Sequence, residues 1–235
     1  MTTPHTAGTP GDHRLVIAID GPSGSGKSST SRLVATRLGL AHLDTGSMYR
    51  AAACQVAHRG IDPRTDPQAA VDLVATADLR LDTRPGHDHV VIDGRDVTEE
   101  IREPATSAKV SAVATIQPVR DLLTAMMRRI VEDSGRRIVV EGRDITTVVC
   151  PDADVRVLLV ADPAVRMARR SAELGGGVDQ AQMRDQIVRR DRDDSTVSQF
   201  ASPAPGVTLI DSTRLSLEQV VERVIGLADA VLSRR

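Results

Sequence analysis

Glycines frame a four-residue spacer in Gly21-Pro22-Ser23-Gly24-Ser25-Gly26, and Lys27-Ser28-Ser29 follows directly. That spacing suits a loop wrapped around phosphates. Glycines let successive backbone N–H groups turn inward, and a helix opening at Lys27 adds partial positive charge. Lys27 reaches the terminal phosphates as a compact point charge, and the Ser28 hydroxyl can ligate Mg²⁺. Of 30 basic residues only Lys27 and Lys109 are lysines, so this chain otherwise uses arginine for positive charge. A planar arginine fork does not replace a point charge inside such a loop.

A phosphate loop implies triphosphate binding without fixing the reaction. A GTPase needs an Asn/Thr-Lys-x-Asp motif, and the remaining lysine sits in Ala108-Lys109-Val110. A motor or transporter ATPase needs an apolar strand ending in paired acids. The strands here end in Glu141-Gly142 and Ala161-Asp162. A small kinase fits best, one that aligns donor and acceptor with arginines. Candidates are Arg143, Arg166, Arg169, Arg170, Arg184, Arg189, Arg190 and Arg192. Arg166, Arg169 and Arg170 share a helix face by their spacing. Such a cluster can neutralise a phosphoryl group in flight. From the residues alone, other small P-loop kinases remain open, acting on another monophosphate, shikimate or dephospho-coenzyme A. So does a nucleotide-gated binding protein. His87-Asp88-His89 lacks the further ligands of a zinc centre and reads as a polar hairpin tip.

The elements that must hold these residues follow from the hydrophobic period. Leu15–Asp20, Ala41–Asp44, Arg137–Glu141, Val155–Val160 and Val207–Ile210 are short apolar runs that read as buried strands. Between them, helical patterns cover Lys27–Leu38, a segment capped by Thr45 or Ser47 and running to Arg59, and Pro63–Ala77. Further helices are expected over Pro104–Ala114, Pro118–Asp133, Pro163–Leu174, Gln180–Asp193 and Leu215–Leu232. This alternation predicts an α/β fold, a parallel sheet with helices on both faces. From Asp78 to Thr98 the period changes to two, with Asp93-Gly94 as a tight-turn pair. That patch is an antiparallel insert, spanning about 62–115 with its flanking helices. A lid is expected over about 163–196, around Gly175-Gly176-Gly177, and residues 1–13 read as a disordered tail. Ile92-Asp93-Gly94-Arg95-Asp96-Val97-Thr98 echoes Val140-Glu141-Gly142-Arg143-Asp144-Ile145-Thr146. One copy sits in the insert's turn, so only one is expected to act.

Composition narrows the partners. A chain of 235 residues with 40% apolar content can bury a sizeable core. A net charge of −2, one Tyr, one Phe and no Trp argue against nucleic-acid binding by charge or by stacking. No apolar run is long enough to span a membrane. Cys54 and Cys150 sit alone in apolar surroundings and read as reduced core cysteines, which fits a cytoplasmic protein. Nothing reads as a coiled coil, so a monomer is the default expectation.

The motifs together resemble the bacterial cytidylate kinase family, within the nucleoside monophosphate kinases. The matching stretches are Ile19–Ser29, Leu43–Arg50, Asp96–Arg102, Glu141–Thr146, Pro151–Ala153, Arg190-Asp191, Asp194-Ser195 and Ile210–Thr213. The resemblance runs from about Leu15 to the C-terminus. It implies a P-loop kinase that transfers the terminal phosphoryl group of ATP to CMP or dCMP, with Mg²⁺. It implies ATP binding by Gly21 through Ser29 together with Arg166 and Arg170. It implies a CMP site built from Thr45, Tyr49, Arg50, Ser111, Arg120, Arg143 and Asp144, with Arg190 and Asp194 closing on it. Lys27, Arg143 and Arg190 would be the catalytic cations. The family pattern selects the Gly142-Arg143-Asp144 copy. Val197 stands near where the family often carries an arginine.

A monophosphate acceptor brings its own nucleophile, because its second pKa is about 6 and it is largely dianionic at neutral pH. No general base is required. Cytosine offers an amino donor at N4 and acceptors at N3 and O2. Asp144 can accept from N4, while Arg120 and Ser111 can donate to the other two.

Overall fold

A computed structural model describes residues 14–173 and 202–235. Five strands form one parallel sheet in the order β2-β6-β1-β7-β8. They are β1 (Leu15–Asp20), β2 (Ala41–Asp44), β6 (Arg137–Gly142), β7 (Val155–Val160) and β8 (Thr208–Asp211). The central strand β1 is buried along its whole length. Its side chains divide by parity, as a pleated strand covered on both faces requires. Val16 and Ala18 join a cluster with Met48, Leu123 and Met127 from α2 (Thr45–His58) and α5 (Gln117–Asp133). Leu15, Ile17 and Ile19 join a second with Val34, Val220 and Val224 from α1 (Lys27–Leu38) and α7 (Leu217–Leu232).

The antiparallel insert is a three-stranded sheet, β3 (Leu79–Leu81), β4 (Val90–Ile92) and β5 (Arg95–Asp96). Between β4 and β5, Asp93 and Gly94 both adopt positive φ, 49° and 77°. That is the mirror-image turn an Asp-Gly pair favours. The Gly94 copy of the repeat is therefore a turn. Val90, Ile92, Val97 and Ile101 pack with Ala51 and Cys54 of α2 in a core of their own. Both cysteines are buried and free, and burial pushes the Cys150 thiol up to about 11.

The structure corrects several element bounds. The cap of α2 is Asp44, whose carboxylate accepts from the Ser47 N–H at 3.3 Å, rather than Thr45 or Ser47. Pro63–Ala77 shortens to α3 (Pro67–Thr76), because Asp66 caps it by accepting from Ala69 N–H. Strand β8 begins one residue later than expected, and α7 begins at Leu217 under a Ser216–Gln219 capping box. Helix α4 (Pro104–Ala114) lies as read, and α5 begins at Gln117, one residue earlier than expected. Helix α6 (Pro163–Glu173) reaches the edge of the described region. The expected tail, the Gln180–Asp193 helix, the glycine break and most of the proposed lid lie outside the described residues. No helix of the described residues is long and apolar enough to cross a membrane.

Candidate functional site

The carboxyl end of β1 opens into the glycine loop, and the loop closes into α1. Two glycines there are steric necessities. A Cβ on Gly21 would sit 2.1 Å from the Leu159 carbonyl oxygen. At Gly24, φ is +74° and a Cβ would meet the Arg166 carbonyl oxygen at 2.6 Å. The loop is thus pressed against β7 and α6, and only hydrogen side chains fit. Lys27 Nζ donates to the Pro22 carbonyl at 2.9 Å, folding the lysine back across the loop. Arg166 Nη1 donates to the Ser23 carbonyl at 3.0 Å. Arg169 Nη1 donates to the Ser25 carbonyl at 3.4 Å and to Ser212 Oγ at 2.9 Å. Ser212 Oγ in turn donates to the Ser25 carbonyl at 3.1 Å. Cationic groups from α6 and the turn after β8 therefore brace the loop's outer side.

Next to β1, strand β6 delivers Glu141, Gly142, Arg143 and Asp144 to the same sheet edge. Arg143 donates to the Gly21 carbonyl, at the lip of the phosphate loop. Asp144 pairs with Arg120 of α5, and both side chains are buried. Arg120 also donates to the Ala114 carbonyl at 3.1 Å, and its guanidinium lies 5.8 Å from the centroid of the Tyr49 ring. Ser111 is half-buried on α4, the helix that ends at Ala114.

On the other side of β6, Asp44 accepts from Ser47 Oγ and from Arg50 Nη2, both at 2.7 Å. Burial pushes the Asp44 carboxyl up, but the Arg50 charge and the Ser47 hydroxyl outweigh it and hold it well below the usual carboxylate range. Arg50 is thereby steered along α2. Thr45 is buried, with its hydroxyl donated to the Glu141 carbonyl at 2.8 Å.

Two buried carboxylates hold this edge together. Asp20 accepts from the backbone N–H groups of Ile145 and Thr146 at 2.8 Å and from the Thr146 hydroxyl at 2.6 Å. Burial pushes its carboxyl up against the pull of those bonds. Asp20 so fixes the π-helical turn Ile145–Val149 that follows Arg143 and Asp144. Glu141 is 2% exposed. It accepts from Ser28 Oγ at 2.8 Å and faces His42 Nε2 at 3.2 Å.

The glycine loop and three arginines, Arg50, Arg120 and Arg143, thus stand around one sheet edge. Residues 17–230 match the family model described as Cytidylate kinase. The chain belongs to the cytidylate kinase family. The cytidylate kinase of Cutibacterium acnes is 70% identical over 218 residues, covering 93% of this chain and 97% of that protein. That of Rhodococcus opacus is 45% identical over 216 residues, covering 90% and 93%. A crystal structure of an uncharacterized protein from Eubacterium ventriosum shares the fold, with a TM-score of 0.52 at 11% identity, covering 92% of this chain and 99% of that one.

Of the residues expected to bind ATP, Arg166 meets the glycine loop at Ser23. Of those expected to bind CMP, Thr45, Tyr49 and Arg50 stand on α2, Ser111 on α4, Arg120 on α5, and Arg143 and Asp144 just after β6. Arg170 lies on α6, but its side chain is not among those described. Arg190 and Asp194 lie outside the described residues. Asp20, Glu141 and Ser212 had escaped the sequence reading as site residues. Asp20 and Glu141 had a signal, an acid ending an otherwise apolar strand, LVIAID and RIVVE. Arg169 stood in the arginine cluster but was not assigned to the loop. Ser212 had no signal beyond its place in the Ile210–Thr213 stretch.

Proposed function

We propose that this chain transfers the terminal phosphoryl group of ATP to CMP or dCMP, giving ADP and CDP or dCDP. The observation that carries the reading is the junction at Arg143 and Asp144. One residue reaches the phosphate loop, and its neighbour pairs with Arg120 of α5. Donor and acceptor would therefore meet across a single peptide unit.

An oxygen of the acceptor phosphate attacks the terminal phosphorus, and the bond to the bridging oxygen of ATP breaks. Both reactants are anions, so the protein's task is to align them and screen their repulsion. Lys27 and Arg143 supply positive charge from the loop and from β6. Arg190 joins them on sequence pattern alone, as Asp194 joins the acceptor side. Arg50 would take the acceptor phosphate. Asp144, Arg120 and Ser111 would read the cytosine edge. Uracil would set a carbonyl against the Asp144 carboxylate, leaving buried polar groups unpaired.

The residues present fit Mg²⁺ accompanying ATP. The Ser28 hydroxyl donates its hydrogen bond to Glu141, which leaves its oxygen lone pairs for a hard cation, and Mg²⁺ takes few protein ligands besides phosphate and water. Ser28 would hold it and Glu141 would orient Ser28. When bound, the ion screens charge on the terminal phosphates. The test is a steady-state assay with ATP and Mg²⁺ against CMP, dCMP, UMP, AMP, GMP, shikimate and dephospho-coenzyme A. CMP and dCMP should give ADP fastest, and a faster acceptor from the rest would replace the reading.

A further inference from the structure

Strand β2 carries a residue that its surroundings do not call for. In the β2–β6 pair His42 lies beside Val139, and Asp44 lies beside Glu141. Val139 packs in the aliphatic cluster with Ile17, Ile19 and Val34, beneath α1. An aliphatic side chain would suit that neighbourhood, yet His42 is there and only 6% exposed. A buried imidazole costs free energy unless its ring nitrogens find partners. The partner is Glu141 Oε1, 3.2 Å from Nε2. Facing a carboxylate oxygen, Nε2 carries the hydrogen and donates. The strand that presents the ring is held from its outer side too, since the His42 N–H donates to the Thr83 carbonyl of the insert at 2.7 Å.

Glu141 has two carboxylate oxygens with separate duties. Oε1 faces His42, and Oε2 accepts the Ser28 hydroxyl at the start of α1. No Lys or Arg makes an ion pair with Glu141 among the described residues. Its orientation therefore depends on these two bonds and on packing. Without the first, the carboxylate can rotate, and the Ser28 hydroxyl hydrogen is no longer directed away from the loop.

We propose that His42 is a positioning residue for the phosphate-donor half of the site, holding Glu141 so that the Ser28 oxygen faces the bound Mg²⁺–nucleotide. This rests on reading Gly21 to Ser28 as the Mg²⁺–ATP loop. Removing a direct partner of a metal-binding side chain, here Glu141, usually costs about 10- to 100-fold in metal affinity, and His42, one bond further out, should cost less.

The experiment is calorimetric binding to the full chain, without turnover. ATP is titrated with Mg²⁺ and again in EDTA, and CMP is titrated separately. His42→Leu should weaken Mg²⁺–ATP several-fold, up to about tenfold. It should leave ATP in EDTA and CMP close to wild type. His42→Gln keeps an N–H donor and should recover most of the loss. In a Ser28→Ala background, His42→Leu should cost nothing further. If His42→Leu melts too low to assay, His42→Asn, whose shorter amide cannot span to Glu141, should show the same selective loss. Unchanged Mg²⁺–ATP binding, parallel losses for EDTA–ATP and CMP, or no recovery in His42→Gln would overturn the positioning role. A wild-type chain that binds ATP equally well with and without Mg²⁺ would instead overturn the reading of the loop, and the proposal with it.

Discussion

Arg120 and Asp144, proposed to read different atoms of one cytosine edge, are bonded to each other in a buried ion pair. The guanidinium and the carboxylate thus hold one another in place just beyond the end of β6.

That pairing changes what substitution at Asp144 should do. Asp144→Ala leaves a buried guanidinium without its counter-charge, and breaking one partner of such a pair costs about 3–5 kcal/mol of stability. It should also lower CMP efficiency by about 1.5–3 kcal/mol through the lost N4 acceptor. Asp144→Asn keeps the shape and is the cleaner probe, because its amide can donate to uracil O4. The CMP/UMP ratio of kcat/KM should collapse in both variants, with a smaller loss of denaturant midpoint in Asp144→Asn. Asp96→Ala, in the repeat's exposed copy on β5, should leave the ratio intact. A collapse with Asp96→Ala and not with Asp144 would reverse the assignment.

Lys27→Arg should reduce kcat by at least about 100-fold although charge is kept, because the planar fork cannot take the place of a point charge folded across the loop. Steady-state turnover with ATP and CMP checks this. A loss of only a few-fold would place Lys27 away from the transferred group.

Gly24→Ala should raise KM for ATP steeply and lower the melting temperature. The new methyl meets the Arg166 backbone at 2.6 Å in a positive-φ residue, so either the loop or α6 must shift. CMP affinity, measured alone by calorimetry, should stay near wild type, because the residues proposed to hold CMP, Arg50, Arg120 and Asp144, stand on other elements.

Asp44 links stability to acid. Its carboxyl is held below the unfolded value of 3.8, so it stabilises the fold fully above that pH and loses the contribution as pH falls below it. The stability gap between wild type and Asp44→Asn should be constant from about pH 5 to 7 and shrink progressively below about pH 4. Urea unfolding across that range checks it. A gap that widens in acid would show that Asp44 is not the charged partner of Arg50. Because Arg50 would take the acceptor phosphate, Asp44→Asn should also raise KM for CMP more than KM for ATP.

The phosphate loop was readable from the chain alone because its chemistry is contiguous. Strand, glycines, lysine and helix start follow one another, and the groups that would meet the phosphates belong largely to the backbone of those few residues. The sheet was readable for a similar reason, since a strand buried on both faces must be a short apolar run. The Asp93-Gly94 turn likewise follows from residue types that tolerate positive φ. What the tertiary structure alone decided is pairing over long separations. Ser28 meets Glu141 across 113 positions, Arg169 meets Ser25 across 144, and His42 meets Glu141 across 99. Arg120 and Asp144 could be named in the sequence only through the family resemblance, and their bond to one another depends on how α5 lies against the end of β6. Asp20 reads in sequence as the last residue of a strand. Only the fold gives it three donors from the turn after Arg143, because the parallel β1–β6 pairing brings the two strand ends to the same edge. Local preference sets which residues can donate, accept or turn, whereas the cost of burying a polar group unpaired selects its partner. That cost is incurred only once the chain has packed.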